Sequence, residues 1–143
     1  MREKILLYAL ISLVLINVWS LYLFFDYFTE KDAILHSLGL FLNFVYTLVT
    51  VVVLGGLLLA IRLIYHWQKK ANPLQTNFLY IFSGIFNLNI FLIWLTSMSL
   101  DILELGSGRL EIGAFCALLV AVLILLDVYK SNFKVKTANT TFS

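Results

Sequence analysis

A chain of 143 residues that is 62% hydrophobic and only 13% charged has too little polar surface to cover a water-facing globule. A mean hydropathy of +0.96 makes lipid the expected solvent, and the length allows four spans of roughly 20 residues, short connections and no sizeable domain outside. The net charge of +2 comes from cations gathered by position rather than spread over a face, which argues against a nucleic-acid partner. Cys116 is the only cysteine, so an intramolecular disulfide, a CxxC redox pair and a cysteine-built zinc site are all excluded.

The first predicted span covers about 5–28. Met1-Arg2-Glu3-Lys4 ahead of an apolar run has the outline of a signal peptide. The run is too long and lacks a small-x-small cleavage site, so it reads as an uncleaved anchor. Thr29-Glu30-Lys31-Asp32 closes it, and Thr29 with Asp32 three residues later imitates a capping box for the next helix. That second helix is expected from near Glu30 to about Trp67, with its membrane part over 34–66. Roughly 38 residues at 1.5 Å each give about 57 Å against a hydrocarbon core of about 30 Å. It must tilt, protrude or bend, and Gly55-Gly56 is the expected point of bending and close approach.

The third helix is predicted to start at Asn72-Pro73-Leu74-Gln75, with Asn as N-cap, Pro at the first helical position and Gln completing a capping box. It runs to about Leu103, spanning 76–100. Gly106-Ser107-Gly108 interrupts the pattern, and a fourth helix follows from about Arg109 to Tyr129. Along it Gly113, Ala117 and Ala121 form a small-xxx-small ridge that lets a neighbouring backbone approach. Residues 131–143 read as a polar, frayed tail. The expected fold is an all-α integral membrane protein, one four-transmembrane-helix bundle over 1–130 with both termini on the same side.

Charge sets the orientation. Arg2, Lys4, Arg62, Lys69, Lys70, Lys130, Lys134 and Lys136 fall on one side of the four-span pattern, and only Lys31 and Arg109 on the other. The positive-inside rule places the first group, and so both termini, in the cytoplasm. Asp26, Glu30, Asp32, Asp101, Glu104 and Glu111 mark the opposite side. Small size and the lack of a targeting signal make a bacterial inner membrane the expected location.

Polar residues at depth are where a membrane protein shows chemistry, because each needs a partner or a wet cavity. Asn17, Thr47, Thr50, Asn87 and Asn89 lie near the middles of three spans and are the candidate polar midplane site. Interhelical hydrogen bonding is the plainer use of such residues, and the better supported one. Two semi-polar stripes at alternating steps of four and three, Tyr8-Ser12-Leu15-Trp19-Tyr22-Asp26 and Ser83-Asn87-Ile90-Trp94-Ser97-Asp101, would lead to an outer mouth at Asp26 and Asp101. More often such stripes are an ordinary helix–helix seam with the acids solvated at the interface. His36 and His66 stand about 45 Å apart along the second helix and cannot share a metal, so no metal and no cofactor are expected. Asp127 is expected to pair with Lys130 one turn away.

The middle of the first span holds Ser12 and Asn17 where a small multidrug exporter needs a membrane-embedded carboxylate, and neither GxSG nor HExxH occurs. Two function classes survive, with a lipid or quinone site between the helices as a weaker third. One is a non-catalytic subunit, assembly factor or immunity-type partner of a larger membrane protein complex. The other is an oligomeric small transporter or pore. The expected partners are the lipid bilayer and another membrane protein or further copies of the chain.

Overall fold

The computed structural model describes residues 2–29, 38–68, 77–99 and 108–140. Among these residues are four α-helices, α1 (Arg2–Thr29), α2 (Leu38–Trp67), α3 (Phe78–Ser99) and α4 (Gly108–Thr140). All four are long and apolar enough to cross a membrane, and their packing is consistent with a four-helix bundle.

α3 is the hub. It touches the other three helices, and 44% of its apolar window is buried against 33% for α4, 22% for α2 and 11% for α1. Two clusters hold the bundle. Near one end Leu23, Phe44, Leu48, Ile90, Ile93, Trp94 and Leu110 pack on Ala114 and Ala117; at the other Tyr80 and Ile81 pack on Val120, Ile124 and Val128. Lipid tails are as apolar as leucine, so hydrophobicity alone does not drive these helices together and close approach must. Small residues permit it. A Cβ at Gly55 would lie 2.6 Å from Val120 Cγ1 and 2.8 Å from Asn87 Nδ2, one at Gly84 2.7 Å from Ile124, and one at Gly113 2.7 Å from Leu48. Ala117 and Ala121 are fully buried, so the ridge of α4 lies inside the bundle. Gly56, beside Gly55, faces open space.

The helix ends depart from the sequence reading. α3 starts at Phe78, because Asn77 accepts the backbone N–H of Leu79 at 3.0 Å and serves as N-cap. It is described as far as Ser99, and the expected end near Leu103 lies outside the described residues. The proposed cap at Asn72–Gln75 lies outside the described residues, as do Glu30 to Ser37 ahead of α2. α4 continues to Thr140 instead of stopping near Tyr129, since nothing between Ser131 and Thr140 is a proline or glycine that would break it.

Candidate functional site

Two ionisable side chains inside the apolar runs find each other where α2, α3 and α4 meet at one end of the bundle. Arg62 of α2 donates from Nε to Asp127 Oδ2 of α4 at 2.8 Å and from Nη2 to Oδ1 at 3.1 Å. Tyr80, in the first turn of α3, donates its hydroxyl to the same Oδ2 at 3.1 Å. The pair is mostly shielded, with 17% of the Arg62 side chain and 26% of Asp127 exposed, and Tyr80 is fully buried. A charge at this depth is costly alone, and two opposite charges with an added hydroxyl satisfy one another.

This corrects the expectation that Asp127 pairs with Lys130. Lys130 is exposed, while Asp127 faces inward to a guanidinium that is placed to make two parallel bonds. Beside the cluster is a cavity of about 340 Å³ lined by Leu59, Arg62, Leu63, His66, Tyr80, Leu123 and Asp127. From the sequence Arg62 is an inner-side cation that, with His66, Lys69 and Lys70, is expected to contact anionic headgroups at the membrane surface, and Tyr80 has no assigned role. The available signal was depth: one cation and one acid lie inside spans, a few residues from ends on the same side, and intramembrane charges generally pair.

The five residues proposed for a midplane site do not converge. Asn87 is fully buried and donates from Nδ2 to Val51 O of α2 at 3.1 Å and to Ser83 O at 2.8 Å. Its Oδ1 has no hydrogen-bond partner among the described residues, and neither has the buried Trp94 Nε1. Asn89 turns towards α1, where its Oδ1 accepts the Ser20 hydroxyl at 3.2 Å. Asn17 is exposed, and its amide donates to Leu13 O of its own helix at 2.8 Å. Thr47 and Thr50 bond back to Asn43 O and Tyr46 O, and share a shallow groove with Trp19, Tyr46 and Phe86. The physical reason is the turn of the helix: residues two apart, such as Asn87 and Asn89, point to different neighbours.

Of the two stripes, that of α3 is the inward face: Ser83, Asn87, Ile90, Trp94 and Ser97 are all buried. That of α1 is not one face, because Ser12 is buried while Leu15 and Tyr22 are 50% and 62% exposed. Ser12, Ile16 and Leu23 mark its packed side. Of the expected outer mouth, Asp101 and the side chain of Asp26 lie outside the described residues, as does His36. His66 is exposed at the cavity rim, and no metal-binding group of three or more His, Cys, Asp or Glu occurs among the described residues.

No family model, curated protein or solved structure matches the chain.

Proposed function

We propose that the chain is a non-catalytic subunit, assembly factor or immunity-type partner of a larger membrane protein complex, docking through the outer face of α1. The observation that supports this reading is Asn17. It lies near the middle of a helix of which only 11% of the apolar window is buried, and its side chain faces away from the bundle. One bond to Leu13 O leaves the amide oxygen and a second N–H with nothing to meet in hydrocarbon. A helix of another protein that offers a polar group there satisfies them, and exposed Leu10, Leu13, Val14 and Leu21 on the same side supply apolar contact.

In this reading both termini face the cytoplasm of a bacterial cell, supported by the eight-to-two division of Lys and Arg, and the Arg62–Asp127 cluster sits at the inner boundary. An oligomeric transporter or pore is the alternative. It draws less support, since Asn87 and Asn89 are engaged with different helices and a polar path around them requires those contacts to break.

The test is native-nanodisc purification with mass determination of the intact particle. A second membrane protein at fixed stoichiometry, lost on Asn17→Leu while helix content is kept, is the expected result. A closed homo-oligomer with no other protein overturns the reading in favour of a pore.

A further inference from the structure

We infer that the cavity among the ends of α2, α3 and α4 holds the anionic headgroup of a membrane phospholipid, with its chains lying along the leucines at the cavity mouth. The inference is independent of any docking by α1.

Arg62 spends Nε and one hydrogen of Nη2 on Asp127, so Nη1 and the outer hydrogen of Nη2 hold no bond to the described residues. Those groups form the end-on fork that matches two oxygens of a phosphate. Asp127, itself tied to Tyr80, fixes the orientation of that fork. His66, one turn beyond Arg62 on α2, lines the same cavity and adds a ring N–H donor at its exposed rim.

The other walls are Leu59, Leu63 and Leu123, of which Leu63 is 62% and Leu123 48% exposed, so the cavity opens sideways to the surroundings of the bundle. Depth agrees. Arg62 stands five residues before the end of α2, about 8 Å along the axis, and Tyr80 two residues into α3. That is the level at which a phospholipid passes from phosphate to chain, and basic pockets between spanning helices are a known form of headgroup site.

Asp127 also argues for a lipid over a free anion. Its charge opposes any phosphate that approaches Arg62, so the headgroup contact alone is weak and the apolar walls must contribute through the chains. A volume of about 340 Å³ is enough for a headgroup and the start of its chains, at the lower end of ligand cavities.

The experiment is native mass spectrometry and thermal unfolding of the full chain from phosphatidylcholine nanodiscs with and without phosphatidylglycerol. Wild type is expected to retain phosphatidylglycerol over phosphatidylcholine by up to roughly fivefold, the effect of one cation, with the Asp127 charge lowering it from that ceiling. Leu123→Trp, which fills the cavity and leaves the ion pair intact, is expected to abolish the preference. His66→Ala, at an exposed rim position, weakens it and serves where the tryptophan variant does not fold. Equal retention of the two lipids by wild type, or a preference unchanged in the folded variants, overturns the inference. A stabilisation of the same size from inorganic phosphate alone, or displacement of the lipid by decylubiquinone, overturns it in favour of a free anion or a neutral oxygen-bearing head.

Discussion

Asp127 accepts three hydrogen bonds from two other helices, and removing its charge leaves the Arg62 guanidinium among leucines without a counterion. Breaking a fully buried pair costs about 3–5 kcal/mol; with these side chains 17% and 26% exposed, solvent screening lowers the expected cost of Asp127→Asn to about 1–3 kcal/mol. Tyr80→Phe removes a single hydroxyl contact and is expected to cost about 1 kcal/mol. Thermal unfolding in one detergent checks both, and the ordering is the point: if Tyr80→Phe costs more than Asp127→Asn, the ion pair does not hold the three helices. Asn87 predicts the opposite sign. Its bond to Val51 O contributes about 0.6 kcal/mol, while its unpartnered Oδ1 carries a penalty of about 1–3 kcal/mol that leucine does not have. Asn87→Leu is therefore expected to unfold at or above the wild-type temperature. A marked loss of stability would show that the amide oxygen has a partner.

Among the helices, the two adjacent glycines of α2 offer a matched comparison. A methyl at Gly55 meets Val120, a stiff β-branched side chain, at 2.6 Å and Asn87 at 2.8 Å, so α2 must move off α3 and α4; Gly56→Ala meets nothing within 4 Å. Gly55→Ala is expected to cost about 1–3 kcal/mol by overpacking, and Gly56→Ala to gain about 0.5–1 kcal/mol from better helix propensity. Equal effects in a denaturation series would refute the packing. Gly55-Gly56 is visible in the chain as a pair, but which of the two meets a neighbour depends on the rotation of α2, and no polar–apolar contrast reports that rotation in a helix apolar all round. The same limit separates the two stripes. In α3, Ser83, Asn87 and Ser97 are small or amide-bearing and can be buried only against partners, so their spacing picks out the inward face. In α1, Leu15 and Tyr22 are as comfortable in lipid as in a core, and the pattern there had no power to tell the faces apart. The existence of four apolar helices was legible because length and hydropathy suffice for it. Of the Arg62–Asp127–Tyr80 cluster only the depth of one cation and one acid was legible; Tyr80 was not, because the members are 65 and 47 residues apart and only the packing of three helices brings them together.

For the molecule as a whole, the proposed orientation can be tested on a single helix. Gly108 and Lys130 are exposed and bracket the apolar part of α4, 22 residues or about 33 Å apart along the axis, close to the thickness of a hydrocarbon core. Nothing lies within 4 Å of a Cβ at Gly108, so a cysteine there fits without rearrangement. Cys116, exposed on α4 between the two, is replaced by serine to give a silent background. If the division of Lys and Arg governs insertion, Gly108→Cys reacts with a membrane-impermeant maleimide in intact cells, and Lys130→Cys reacts only after permeabilisation. The reverse pattern inverts the protein and moves the Arg62–Asp127 cluster to the outer boundary. On the proposed orientation the cluster would also bear on the choice itself: Arg62 is paired with Asp127 in the folded bundle, but would be an unpaired cation if α2 inserts ahead of α4. Arg62→Gln is therefore expected to increase the fraction labelled in the inverted pattern, and Asp127→Asn to leave it unchanged, although the two substitutions break the same ion pair.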